Sequence, residues 1–260
     1  MLNIENITKR FGGLTAVDDV NIRVAAKTIH SVIGPNGAGK TTAFNMITGV
    51  YQPTEGAIDF LGRPTLGLRP HQLAKSGIAR TFQNIRVVAS MSVFDNVRAA
   101  TQLHRSHGIR EALWRGRSHH AGEKEVEDRV LDLLEVFSLQ DYRDEPATSL
   151  PYGGQRRLEI VRAMATQPKL LLLDEPAAGM NPSEKEDLMH LIEFIRKRFG
   201  MAILLVEHDM KVVMGICERI AVLEYGVKIA EGTPKEIQCH PKVIEAYLGA
   251  SATPIETAHA

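Results

Sequence analysis

The chain is poor in the residues that mark specialised classes. Its 260 residues hold two cysteines, Cys217 and Cys239. Their spacing fits neither a zinc ligand set nor a disulfide framework, and a reducing compartment is the simplest setting. No apolar run approaches the ~20 residues a helix needs to cross a bilayer, so a membrane role requires another chain to do the spanning. The opening, Met1-Leu-Asn-Ile-Glu-Asn, lacks a charged segment followed by an apolar one, and no secretory leader is expected. Charge of one sign is missing too. Lys plus Arg and Asp plus Glu number 31 each, which leaves no overall basic footprint, and nucleic acid is not an expected partner. No internal repeat is visible, so each motif occurs once. What remains, 44% hydrophobic and 24% charged, suits one large globular domain or a domain with an inserted lobe.

Against this plain background one stretch stands out. Residues 34–42 read Gly-Pro-Asn-Gly-Ala-Gly-Lys-Thr-Thr, the pattern G-x-x-x-x-G-K-T of a phosphate-binding loop. An apolar run, Ile29–Ile33, leads in, and an apolar-periodic segment, Thr42–Val50, leads out. Strand, loop and helix thus follow in the order the chemistry needs. Glycines at 34, 37 and 39 let backbone N–H groups converge on phosphate oxygens at a helix N-terminus. Lys40 can reach the β- and γ-phosphates, and the Thr41 hydroxyl can bind Mg²⁺.

Further along, Leu170–Leu173 is an apolar run that ends in Asp174 and Glu175. A buried parallel strand would deliver both acids at its C-terminal edge, Asp174 to hold Mg²⁺ and Glu175 to polarise water. Met201–Val206 reads as a second such strand and brings His208 to the same edge. Gln83 follows a short strand at Ile78 and could face Mg²⁺ and the attacking water. Pro151-Tyr152-Gly153-Gly154-Gln155 opens a helical pattern and offers a second anion site. Phe11 precedes a Gly-Gly turn as a stacking surface for a purine base. Ser183 is expected to cap a helix that Gly200 stops. Residues 92–146 read as a mostly helical lobe. His104, His107, His119 and His120 in its polar stretch suggest a solvated segment rather than a metal site.

Taken together, the set resembles the ATP-binding cassette ATPases over nearly the whole chain. Five separated motifs occur in order: Gly34–Thr42 (Walker A), Gln83 (Q-loop), Pro151–Gln155 (signature), Leu170–Glu175 (Walker B) and His208 (switch). The resemblance implies an α/β fold, a P-loop NTPase (RecA-like) core with an antiparallel β subdomain and an inserted α-helical subdomain. Residues 1–86 plus 157–232 would form the nucleotide-binding core, 87–156 the helical insertion with the signature, and 233–260 a C-terminal helical tail. It implies ATP and Mg²⁺ as ligands. Phe11, Val17, Asn36, Gly37, Ala38, Gly39, Lys40, Thr41, Thr42 and Gln83 would bind ATP, and Thr41, Gln83 and Asp174 the metal. Glu175 and His208 would be catalytic. Tyr152, Gly153, Gly154 and Gln155 would contact the nucleotide of a second ATPase subunit in a sandwich dimer. The lobe near Val87–Asn96 would receive a helix from a membrane subunit.

Two departures stand out. Tyr152 occupies the position of a serine in the family's signature, where Pro151 also replaces leucine. The loop after Walker B ends in Asn181 where many members carry aspartate. Both departures, the polar insertion near Trp114 and the tail Val243–Gly249 resemble the larger ATPase of branched-chain amino acid importers. The implied partners are a second ATPase subunit, two permease subunits and a periplasmic or extracellular substrate-binding protein, with the chain peripheral on the cytoplasmic face of the inner membrane. A cassette for urea or amides, or a soluble cassette acting on nucleic acid or ribosomes, is the alternative. A GTPase or small-molecule kinase would leave the signature and His208 without a role.

Overall fold

The computed structural model describes residues 1–104 and 117–248. His107, Trp114, the tail beyond Leu248 and the side chains of His104, His119 and His120 lie outside that description.

Alternating apolar residues build the first sheet. β1 (Leu2–Phe11) and β2 (Leu14–Val24) pair antiparallel around Gly12-Gly13. The chain then leaves for a second sheet through β3 (Ile29–Ile33) and the glycine loop, and continues as helix α1 (Lys40–Ile47). β4 (Glu55–Phe60) returns to the free edge of β1, with the short β5 (Arg63–Pro64) outermost. Helix α2 (Pro70–Ser76) stops at Gly77, whose left-handed φ of 109° turns the chain into β6 (Ile78–Arg80).

The helical lobe follows. It contains α3 (Val93–Thr101), capped by the Ser92 hydroxyl, and α4 (Arg117–Val136). Val130, Leu133, Leu134 and Phe137 are buried against α3 and α5 (Tyr152–Ala165). The core then resumes with β7 (Leu170–Asp174), α6 (Pro182–Phe199), β8 (Ala202–Val206) and α7 (Met210–Ile216). The hairpin β9 (Arg219–Glu224) and β10 (Val227–Gly232) follows, then two short helices, α8 (Pro234–Gln238) and α9 (Pro241–Leu248). The cap of α6 corrects an expectation. It is Asn181, not Ser183: the Asn181 side chain accepts from the Glu184 N–H at 2.9 Å, and Glu184 answers on the Asn181 N–H. Pro182 suits the first helical position because its missing N–H has no partner to lose there.

The second sheet runs β10-β9-β3-β8-β7-β6, all parallel except β10. Its three central strands, β3, β8 and β7, are buried at every residue, as expected for a sheet covered on both faces. One face, with Leu170, Leu172, Leu204 and Val206, packs with Phe44 and Ile47 of α1 and with the inner face of the antiparallel sheet. The other, with Leu171, Leu173, Ile203 and Leu205, packs with α5, α6 and α7. Helix α1 is therefore sandwiched between two sheets. Because the strands are parallel, the residues after β3, β6, β7 and β8 emerge at one edge.

Candidate active site

That edge holds a cavity of about 460 Å³ lined by Asn36, Gly37, Ala38, Gly39, Lys40, Thr41, Thr42, Gln83 and Glu175, with Leu14–Ala16 and Tyr225 on the far wall. Its size suits a small-molecule ligand. Gly39 has φ 96°, and a Cβ there would lie 2.6 Å from the Ala16 carbonyl oxygen, so the tight approach of loop to sheet requires glycine. The turn between β9 and β10 braces the same loop: the Gly226 N–H donates to the Ala38 carbonyl at 3.1 Å, and the Asp18 N–H to the Gly226 carbonyl at 2.8 Å. Lys40 is buried, and its ammonium donates to the carbonyls of Gly34 at 2.7 Å and Pro35 at 2.9 Å. Burial lowers its pKa, while the negative charges of Glu175 and Asp174 pull the other way.

Glu175 sits where three elements meet. Its Oε2 accepts from Gln83 Nε2 at 2.9 Å, and its Oε1 lies 3.8 Å from His208 Nδ1. Its backbone is left-handed, φ 47°, a strained setting for a side chain with a Cβ. Asp174 is buried and its Oδ2 accepts from Arg80 Nη2 at 2.7 Å. Arg80 also donates to Asn45 Oδ1 at 2.6 Å and stands 5.6 Å from the ring centre of Phe44 and 5.4 Å from that of Phe82. One guanidinium thus joins the acid-tipped strand to α1.

Glu207 organises the two loops beside the site. It is 1% exposed; its Oε1 accepts from the Ala177 N–H at 2.8 Å and its Oε2 from the His208 N–H at 3.1 Å. Burial raises its pKa despite these bonds. Asp209 caps α7 by accepting from the Lys211 N–H at 2.9 Å, and pairs with Lys185 of α6 at 2.6 Å. The Lys185 hydrogen bond lowers the Asp209 pKa.

The remaining expected residues lie outside the cavity lining. Val17 is fully buried and its neighbour Ala16 lines the cavity. Phe11 is 41% exposed at the end of β1, edge-on to Tyr51 at 5.2 Å and paired across the turn with Leu14, which does line it. Tyr152, Gly153, Gly154 and Gln155 form the first turn of α5, away from the cavity. The Tyr152 ring packs on Gly179: a Cβ at Gly179 would lie 3.3 Å from it. The departure at Tyr152 therefore packs on the loop that leads to the departure at Asn181. A separate groove of about 410 Å³ is lined by Phe82, Arg86, Ala100, Glu159 and Arg162 among others; residues 87–96, expected to receive a membrane subunit, are not part of its lining. Arg80, Arg156, Glu159 and Glu207 escaped sequence reasoning. The only local signals were an arginine ending an apolar strand and an Arg-x-x-Glu spacing on a helix.

A loop of amide donors, acids at the ends of adjacent parallel strands, and a helical lobe that carries a glycine pair define an ATP-binding cassette ATPase. The chain belongs to the ABC transporter family: that family's profile matches residues 17–178, and the profile of the branched-chain amino acid ATP-binding cassette transporter matches residues 227–253. It is 45% identical over 249 residues to the high-affinity branched-chain amino acid transport ATP-binding protein BraF of Pseudomonas aeruginosa, covering 96% of this chain and 98% of BraF. The crystal structure of the ADP conformation of MJ1267, an ATP-binding cassette of an ABC transporter, matches with a TM-score of 0.83 at 32% identity over 96% of this chain and 98% of that one. The dimeric post-hydrolysis state of the cassette MJ0796 bound to ADP and Pi matches with a TM-score of 0.75 at 25% identity, covering 90% and 99%. The chain is an ATPase of this family, and among the described residues no helix is long and apolar enough to cross a membrane.

Proposed function

We propose that this chain is the motor subunit of an importer for branched-chain amino acids, peripheral on the cytoplasmic face of the inner membrane. The observation that carries the mechanism is the position of Glu175: one carboxylate oxygen faces Gln83, the other faces His208, and the side chain borders the cavity that Lys40 enters. Glu175 polarises the attacking water. Lys40 leaves the Gly34 and Pro35 carbonyls to meet the β- and γ-phosphates. Gln83 and His208 orient water and γ-phosphate. Thr41 and Gln83, which line the cavity, and Asp174, whose other contact is Arg80, would supply the oxygen donors that Mg²⁺ prefers. Bound there with the nucleotide, the ion would neutralise developing phosphate charge.

A second ATPase subunit completes each site through Tyr152–Gln155, so ATP closes the dimer and hydrolysis releases it. The opening turn of α5, which has no side-chain cap and lines no part of its own cavity, supports this reading, as does the dimeric form of MJ0796. The groove at Phe82, Arg86 and Arg162 receives a segment of one of two permease subunits, and a periplasmic binding protein delivers the substrate. The identity to BraF supports branched-chain amino acids as cargo.

The mechanism is tested with Glu175→Gln. It is expected to bind ATP, lose turnover and accumulate as an ATP-bound dimer in size-exclusion chromatography; normal hydrolysis would remove Glu175 from its role. The cargo is tested by uptake of labelled leucine and of labelled urea in cells that carry or lack the gene. Loss of urea uptake alone would replace the assignment.

A further inference from the structure

Behind Glu175 lies a charged pair that lines no part of the nucleotide cavity. Arg156, in the second turn of α5, is 0% exposed. Its Nη1 donates to the Phe82 carbonyl at 2.7 Å and to Glu159 Oε2 at 3.0 Å. Its Nη2 donates to the Gln83 carbonyl at 3.0 Å and to the Glu175 carbonyl at 3.1 Å. Glu159, 5% exposed, closes the circuit by accepting from the Phe82 N–H at 3.0 Å. One helix therefore grips the backbone of the loop that carries Gln83 and the backbone of Glu175 with the same guanidinium.

A buried ion pair is a poor way to gain stability, since well-packed apolar side chains of the same volume often do as well or better. Glu175 supplies a different reason for the pair. Its φ of 47° is a setting that a residue with a Cβ keeps only where its surroundings enforce it. Three bonds do so: its N–H donates to the Val206 carbonyl at 2.8 Å, and its carbonyl accepts from the Ala178 N–H at 3.1 Å and from Arg156 Nη2 at 3.1 Å. The first comes from the neighbouring strand and the second from the turn that follows. The third, the one side-chain bond of the three, comes from the helix whose opening turn is Tyr152–Gln155.

We propose that Arg156, braced by Glu159, is a positioning residue for hydrolysis: it fixes the left-handed backbone of Glu175 and the Gln83 loop together, so that the carboxylate and the amide that orients it keep one geometry. The inference rests on the reading of Glu175 as the group that polarises water. It makes the first two turns of α5 a single part, with Tyr152–Gln155 as its opening turn and Arg156 behind the catalytic acid.

The test is a double substitution, Arg156→Met with Glu159→Leu, which removes both charges and keeps apolar bulk. The full-length protein is assayed for ATP affinity, KM and kcat, alone and in the Glu175→Gln background under single-turnover conditions. The expected result is a kcat lower by about ten- to hundred-fold, the scale of a misplaced catalytic group, with ATP affinity and KM within about twofold. In the Glu175→Gln background the double substitution should cost nothing further, because two groups that act as one unit do not add. Undiminished kcat, or a loss that multiplies with that of Glu175→Gln, overturns the proposal. Should the double variant fail to fold, Arg156→Lys keeps the buried charge, gives up the forked contact, and enters the same cycle with the same two outcomes. Normal hydrolysis by Glu175→Gln alone would sink the reading of Glu175 itself, and so the two failures are distinguishable.

Discussion

Asp174 and Arg80 lie on adjacent strands and neutralise each other inside the protein, each side chain under one-tenth exposed. Arg80→Met should destabilise the fold by about 3–5 kcal/mol, because it leaves a buried carboxylate without its partner. Arg80→Met combined with Asp174→Asn should lose less, and urea denaturation of both variants measures the difference. Asp209 gives a pH signature. Its folded pKa lies below the ordinary 3.8 because Lys185 bonds its carboxylate. The native state thus favours the ionised form, and this contribution is complete above the ordinary value and disappears as pH falls through the lower folded one. Thermal unfolding from pH 7 to pH 2 should show Asp209→Asn less stable at neutral pH, with the gap closing below pH ~4.

The residues gathered at and behind the candidate site differ in how visible they are along the chain. Lys40, Thr41, Asp174 and Glu175 announce themselves because loop, strand and acid are local patterns. Arg80 does not: its partner is 94 positions away, and only the parallel pairing of β6 with β7 brings them together. Glu207 is hidden for the same reason, since its bond to Ala177 spans 30 positions.

Among the elements, α6 shows how a start signal can be misplaced. Asn181-Pro182-Ser183-Glu184 contains the reciprocal cap in full, but the proline masks it unless it is given the first helical position. Asn181→Ala should cost about 1 kcal/mol, roughly a 2–4 °C fall in Tm for a protein of this size. Asn181→Asp keeps the acceptor and adds a charge that the helix N-terminus favours. Its Tm in differential scanning calorimetry should equal or slightly exceed that of the parent. The apolar strands β7 and β8 were legible from their unbroken runs, β3 from the glycine loop that follows it, and α4 from its spacing of Val130, Leu133, Leu134 and Phe137. The placement of β9 beside β3 was not, because a parallel neighbour leaves no mark in the order of residues.

At the scale of the molecule, the groove proposed to receive the permease shares no lining residue with the nucleotide cavity. Arg162 lines the groove and donates to the Arg86 carbonyl. It lies outside the cavity lined by Lys40 and Glu175. Arg162→Glu should therefore abolish recovery of the chain with the membrane fraction while ATP affinity, followed by fluorescent-nucleotide titration, changes less than about twofold. Equal membrane recovery would place the docking surface elsewhere.

The brace from Gly226 to Ala38 and from Asp18 to Gly226 rivets three parts of the chain that are far apart in sequence. A side chain at 226 would crowd the Ala16 carbonyl, to which an added Cβ would stand 2.9 Å away. The cradle and the sheet beneath it are expected to move as one anvil. Amide protons at Gly226 and Asp18 should exchange slowly and to the same extent with or without ATP, while those of the loop around Gln83 change with nucleotide.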